Sequence, residues 1–173
     1  MSKIVAAGLS AGRTGVFDAQ LRLRTREATE MIVKTILANK GSNVVTIEPT
    51  ATLADASKLL AKHGIGAVVV TGAGQRIVGI VSERDIVRAL AEHGDKALSL
   101  PLTEFMTRKV VTCTCAETIA GLMERMTGGK FRHIPVVEDG RMVGIISIGD
   151  VVKMRVLEME QEHNAMRDYI QTA

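Results

Sequence analysis

Tryptophan is absent from this 173-residue chain, and tyrosine and phenylalanine together supply four residues. Stacking platforms are therefore scarce, which argues against a binder of single-stranded nucleic acid. A dense basic stripe is missing as well. The formal net charge is +3, and the first thirty residues hold Lys3, Arg13, Arg22, Arg24 and Arg26 against Asp18, Glu27 and Glu30. The remainder is nearly neutral, unlike the body of a DNA-binding protein. Cysteine is limited to Cys113 and Cys115. Two thiols do not fill a tetrahedral zinc site, and the pair reads as small strand residues in a reducing compartment. No apolar run approaches the roughly 20 residues that span a bilayer. The stretch Ile4 to Leu9 is shorter than a signal-peptide core of roughly 7–15 apolar residues. These absences point to a cytoplasmic chain with neither nucleic acid nor membrane as partner. What is present is aliphatic: hydrophobic residues make up 46 %, and the clusters of Val and Ile favour strands.

The chain repeats itself. Val44-Val45-Thr46 returns as Val110-Val111-Thr112, and Thr52-Leu53-Ala54 as Thr118-Ile119-Ala120. Gly64 to Val70 lines up with Lys130 to Val136, Arg76 to Ser82 with Arg141 to Ser147, and Asp85 with Asp150. In each copy a short strand (Val44 to Ile47; Val110 to Cys113) leads to a helix opened by Thr52 or Thr118, whose hydroxyl can accept from an orphan N–H. Asp55, three residues after Thr52, completes a capping box with Asp in place of Glu. Helical spacing buries Leu53, Ala56 and Leu60 in one copy and Ile119, Leu122 and Met126 in the other. An apolar strand, a Gly-containing turn, a third strand and a helix from Asp85 or Asp150 follow. A unit of this size has a poor surface-to-volume ratio alone. The expected fold is therefore α+β, two βαββα repeats packed about a pseudo-two-fold axis with a cleft between them, flanked by N- and C-terminal helices. The expected divisions are a flexible tail over 1–26, a first repeat with its leading helix over 27–95, a second repeat over 96–160, and a helical extension over 161–173. Glu27 to Asn39 reads as the leading helix, ended by Gly41. In the last helix Val152, Val156, Met159, His163, Met166 and Ile170 alternate by four and three, a heptad seam. Packing on its own domain or on a dimer partner would both satisfy that seam. His163 within it reads as a partly solvated spacer.

The third strand of each repeat ends in Gly-h-h-Ser-x-x-Asp, where h is apolar: Gly79 to Asp85 and Gly144 to Asp150. A carboxylate can accept from the hydroxyls of a ribose. A serine beside a helix N-terminus can donate to a phosphate that the dipole also favours. A lone Asp there would be only an N-cap, but the same Ser and Asp in both halves favour a site.

This pattern resembles a tandem pair of cystathionine-β-synthase (CBS) domains, a Bateman module, over about residues 28–160. The segment Phe131 to Val136, with the ending Ile146 to Asp150, resembles small stand-alone bacterial members. The resemblance implies a nucleotide-binding regulatory module, with an adenine nucleotide (AMP, ADP, ATP or an NAD-type dinucleotide) in the cleft, no catalytic residue, no metal and no required cofactor. It implies one site with Asp150 on the ribose, Ser147 near the phosphate, Thr46, Ala51, Ile65 and Gly66 around the base and α-phosphate, and Arg132 and His133 on the phosphates. The second site would use Ser82, Arg84 and Asp85, with Thr112, Glu117 and Phe131 opposite. Because Gly66 and Ala67 stand where Arg132 and His133 would be, and Glu117 replaces Ala51, the Asp150 site is expected to bind more strongly. Arg132 also reads as a solvated surface residue, and His133 as a core residue. Lys62 and His63 suit the end of a helix dipole. Energy sensing, a homodimer and an unidentified downstream protein complete the expectation. Two other functions compete: a structural dimer or adaptor with vestigial sites, and an enzyme fragment related to inosine-monophosphate dehydrogenase. The last has no room for a barrel of roughly 250 residues and no nucleophile with a base at a recognisable spacing.

Overall fold

The computed structural model describes residues 31–172. The tail expected over 1–26 and residues 27–30 of the expected leading helix lie outside the described residues; Met31 and Ile32 are not helical, because Ile32 is extended and bridged to Thr118, so the helix begins later than expected, at Val33. The first described helix, α1 (Val33–Lys40), has no side-chain cap. Its opening N–H groups are instead satisfied from the second repeat: Val33 donates to the Glu117 carbonyl at 2.9 Å and Lys34 to the Cys115 carbonyl at 3.0 Å.

In the first repeat, β1 (Thr46–Ile47) runs parallel to β2 (Ala67–Thr71), with Thr46 opposite Val69. Strand β2 is antiparallel to β3 (Ile77–Ser82), from Ala67 opposite Ser82 to Thr71 opposite Ile77. Helix α2 (Leu53–His63) lies between β1 and β2, opened by the Thr52–Asp55 capping box and closed by Gly64 in the left-handed conformation. Helix α3 (Glu83–His93) follows β3 directly. The second repeat contributes α4 (Ile119–Gly129), the hairpin β4 (His133–Glu138) with β5 (Arg141–Ser147), and the long helix α5 (Ile148–Thr172). The β4–β5 turn has Asp139 and Gly140 at positive φ, the geometry that suits the right-handed twist of a hairpin. Both hairpins carry a bulge at the same place, after Val70 and after Val136.

The strand expected over Val110 to Cys113 is reduced to one bridge, Cys113 beside Val136. Cys113 donates to the Pro135 carbonyl, and Val137 donates back to Cys113. The next step of a parallel ladder would place Val111 between His133 and Pro135. Pro135 has no N–H to give it, so the ladder stops there.

Two cores form, and neither follows the sequence order. Val33 and Ile36 of α1 are buried with Ile119, Leu122, Met126, Ile134, Val136, Ile146, Val151 and Met154. The leading helix grouped with the first repeat by sequence thus packs on the second. The linker after α3 (residues 94–106), grouped by sequence mostly with the second repeat, does the converse, burying Ala97, Leu102 and Met106 among Leu53, Ala56, Leu60, Val68, Val70 and Val81. The exchanges are symmetric. Leu53 donates to the Leu100 carbonyl and Leu102 to that of Ala51, while Ile119 donates to the carbonyl of Met31. Full burial of an aliphatic side chain is worth about 1.5–3 kcal/mol, so Val33 and Ile36 alone hold α1 by several kcal/mol. Gly144 leaves space for this docking, since a Cβ there would lie 2.4 Å from Leu37. Gly79 does the same for Met106.

Candidate functional site

The two third strands bring their Ser-x-x-Asp endings to the N-termini of α3 and α5. In the first, the Ser82 N–H and hydroxyl both donate to Asp85 Oδ2, at 2.8 and 2.6 Å. In the second, Ser147 repeats the arrangement on Asp150 Oδ2 at 2.8 and 2.7 Å, and the Asp150 N–H donates to Ser147 Oγ at 3.2 Å. Each pair is therefore a helix cap before it is anything else. The same bonds leave Oδ1 of each carboxylate clear of its serine. They also engage each serine hydroxyl, so phosphate donation from Ser82 would require releasing Asp85.

The pairs differ in what stands before them. Lys40, the last residue of α1, donates to Asp150 Oδ2 at 2.6 Å and to the Ile145 carbonyl at 3.3 Å. Burial alone would raise the Asp150 carboxyl. The Lys40 ammonium and the Ser147 donors outweigh burial and hold it below the usual carboxylate range. At Asp85 the nearest cation is looser, with Arg88 Nη1 3.8 Å from Oδ1.

Asp85 opens onto a cavity of about 440 Å³ whose walls come from both repeats. The first repeat supplies Gly66, Ala67, Ile80, Ser82, Glu83, Arg84, Asp85 and Arg88. The second supplies Val110, Val111, Gly129, Lys130, Phe131, Arg132 and His133, and the segment leading into its first strand supplies Thr107 and Lys109. Five arginines and lysines thus face two carboxylates. Arg84 Nη1 donates to the Lys130 carbonyl at 3.0 Å and ties the repeats together across the opening. Phe131 supplies the aromatic face, and its ring leaves no room at Gly129, where a Cβ would sit 2.2 Å from Cε1. Gly66 and His133 meet near the pseudo-two-fold axis, with an added Cβ on Gly66 lying 3.0 Å from the imidazole. Burial first, then Lys40, pulls the His133 pKa below its ordinary value, against Glu83 and Asp150. A neutral imidazole at pH 7 follows.

The structure redistributes the sequence-derived residues. Ser82, Arg84, Asp85 and Phe131 line one cavity, as grouped from sequence. Gly66, Arg132 and His133, grouped with Asp150, line that same cavity. Ser147 and Asp150 stand with Lys40 instead. Thr46 lies in β1, Ala51 and Ile65 pack against the first core, and none of the three lines the cavity. Thr112 and Glu117 do not line it either. The Thr112 carbonyl accepts from Arg125 at 2.8 Å, and Glu117 is ion-paired to that same arginine. Sequence reasoning passed over Lys109, Lys130, Thr107 and Arg88. The run Thr107-Arg108-Lys109 before the second repeat is a readable signal. Its placement depends on Thr107 pairing with Ile80 at the edge of β3, by bonds of 2.9 and 3.0 Å, which no local pattern announces. Burial pushes the Cys113 thiol up to about 12, and burial with Glu138 raises Cys115, so both favour the protonated thiol. Among the described residues no helix is long and apolar enough to cross a membrane.

The CBS domain pattern matches residues 33–92 and 102–156. The chain belongs to the CBS-domain family. It carries the family's paired arrangement, and it resembles solved CBS-domain structures over most of their length. A CBS-domain-containing protein of Agrobacterium tumefaciens is 50 % identical, with a TM-score of 0.71, over 72 % of this chain and 99 % of that one. A CBS-domain protein of Pyrobaculum aerophilum, solved in complex with AMP, is 31 % identical with a TM-score of 0.62, over 69 % of this chain and 89 % of that one. Among curated proteins, a mitochondrial CBS-domain-containing protein of Arabidopsis thaliana, CBSX3, is 38 % identical over 124 residues, which are 69 % of this chain. The matched stretch is 60 % of that relative's length.

Proposed function

We propose that this CBS pair is a regulatory, non-catalytic module that binds a phosphate-bearing adenine nucleotide in the cavity at Asp85. One observation carries the reading: five cationic side chains and a Ser–Asp cap converge on a single cavity walled by both repeats. Its volume lies within the roughly 300–1,000 Å³ typical of small-molecule sites. Asp85 Oδ1 accepts from the ribose, the ring of Phe131 faces the base, and Arg84, Arg88, Lys109, Lys130 and Arg132 answer the phosphates. A ligand spanning the cavity touches both repeats, so its binding favours one arrangement of the pair over others, and a downstream protein reads that difference. The AMP complex of the Pyrobaculum aerophilum relative supports the ligand class. The cationic lining favours AMP, ADP, ATP or NAD over the positively charged sulfonium of S-adenosylmethionine. The Asp85 site is the stronger one, because Lys40 already occupies the Asp150 carboxylate.

A melting screen with AMP, ATP, NAD, S-adenosylmethionine and GTP tests this. A nucleotide at a hundredfold excess over its Kd adds about 2.7 kcal/mol of stability, a rise of roughly 8 °C for a domain of this size. Asp85→Asn, which keeps a capping side chain, removes most of that rise, and Asp150→Asn leaves most of it. If no nucleotide moves the transition, the chain is an adaptor with vestigial sites. Equal losses in the two variants overturn the ranking.

A further inference from the structure

The two Gly-h-h-Ser-x-x-Asp motifs are alike in their caps and unlike in what covers them. Beside the first motif the covering segment is extended. Thr107 exchanges two main-chain bonds with Ile80, at 2.9 and 3.0 Å, and Met106 is buried over Gly79. Continuing the alignment of Val44 with Val110 back along the chain sets Gly41 against Thr107 and Lys40 against Met106, and Ile145 is the counterpart of Ile80. Beside the second motif the chain takes another course. Helix α1 runs through Lys40, and the Gly41 N–H closes it on the Leu37 carbonyl at 2.8 Å. Leu37, not residue 40, fills the space over Gly144. The Lys40 side chain is thereby spared from packing and reaches the motif itself. Its ammonium donates to the Ile145 carbonyl at 3.3 Å and to Asp150 Oδ2 at 2.6 Å.

Three features make this ammonium a displaceable occupant rather than a bolt that holds the fold. It sits on a carboxylate whose twin, Asp85, opens onto a cavity of about 440 Å³. The Lys40 side chain is 41 % exposed, so its release strands no buried charge, as the breaking of a buried pair would. Helix α1 is fastened independently of it. Val33 and Ile36 are buried in the second core, and the opening N–H groups are held by the Glu117 and Cys115 carbonyls. Letting Lys40 go therefore frees a side chain and leaves the helix docked. The pair also lies within electrostatic reach of His133, a wall residue of the Asp85 cavity. We propose that Lys40 is a tethered occupant of the Asp150 motif, an autoinhibitory contact that lowers the affinity of the second of the two duplicated sites until a ribose, donating its own hydroxyls to Asp150, displaces the ammonium. The ligand class rests on the reading of the Asp85 cavity given above.

Calorimetric titration of the full chain with AMP tests it, in an Asp85→Asn background that leaves the Asp150 motif to be read by itself. Lys40→Ala tightens AMP roughly three- to sixfold, since an occupant in place in most but not all molecules scales the apparent affinity by the open fraction. Lys40→Met, which keeps the stem and removes the charge, gives the same gain, and Asp150→Asn added to either abolishes it. A second measurement needs no nucleotide. In urea, Lys40→Ala and Asp150→Asn together lose less stability than the sum of their separate losses, the mark of a direct pair. Additive losses overturn the proposal. So does an AMP affinity that Lys40→Ala leaves unchanged or lowers, and a lowered one makes Lys40 a phosphate contact instead. The reading of the Asp85 cavity fails separately. If the wild type binds no AMP and the Lys40→Ala chain binds it through Asp150, the Asp85 site falls and the tethered occupant stands. If AMP binding needs Asp85 and gains nothing from Lys40→Ala, the reverse holds. AMP bound by no variant overturns both.

Discussion

Replacing Lys130 by glycine separates the backbone's interest from the cavity's. The two repeats end their first helix alike, with a residue in the left-handed region: Gly64 at φ 60° and Lys130 at φ 56°. An L-residue there costs roughly 1–2 kcal/mol that glycine avoids. The extra freedom that glycine brings to the unfolded chain returns about 0.4–1 kcal/mol of that. Lys130→Gly should therefore stabilise the unliganded protein by about 1 kcal/mol, near 3 °C in Tm. The Lys130 carbonyl that receives Arg84 is unaffected, because it belongs to the main chain. The same change removes one of the cations lining the cavity. An exposed charge near a phosphate is worth about 0.5–1 kcal/mol, roughly two- to fivefold in Kd. Calorimetry of the free protein and a titration with ATP at fixed ionic strength measure the two effects separately. The mirror variant, Gly64→Lys, should destabilise by a similar amount and leave the titration unchanged, because position 64 does not line the cavity. The reasoning fails if Lys130→Gly lowers Tm, or if nucleotide affinity is the same before and after.

Two further perturbations follow from the charges near the axis. His133 has a folded pKa below its unfolded value. As pH falls through about 6.5 the unfolded chain takes up its proton first, and stability falls until the folded pKa is passed. Urea midpoints between pH 8 and 5 should show this decline, and His133→Gln should flatten it. Lys40→Ala removes a partner from Asp150, whose folded pKa is lowered. In the wild type that contribution is present above about pH 3.8 and lost as pH falls through the folded value. The pair is partly exposed, with side chains 41 % and 24 % accessible, so the loss at pH 7 is about 0.5–1 kcal/mol. It should shrink toward zero as pH falls below the folded value in the same denaturant series.

Local chemistry was legible wherever the deciding residues are close in sequence. Thr52 and Asp55 announce their capping box, Gly64 its helix end, and Asp139-Gly140 its turn, because each depends on neighbours within four positions. The duplication made the architecture legible as well, since one unit read twice has to pack against itself. The exchange of α1 and the linker between cores was not legible. The apolar periodicity of Val33 and Ile36 shows that they are buried, but not against what. Lys40 is separated from Asp150 by 110 residues, and nothing in its local pattern distinguishes it from a helix-ending lysine. The reduced strand at Cys113 was half-legible: Pro135 was visible, but its effect depends on which side of β4 the ladder would form. The grouping of cavity residues depended on the relative placement of the two repeats, so Gly66, Arg132 and His133 could be recognised individually yet assigned to the other carboxylate.

The crossed cores also bear on how the chain is made. The first repeat has every residue of its core once Met106 has been synthesised. Helix α1 precedes that repeat but rests on Ile119, Ile146 and Val151. At about 5–20 residues per second, its partners emerge roughly 5–20 s after it does. During that interval the nascent chain carries a completed first half and an orphaned amphipathic helix ahead of it. Chaperones that protect exposed aliphatic surface would have their target at the leading end of the polypeptide until the last strand arrives.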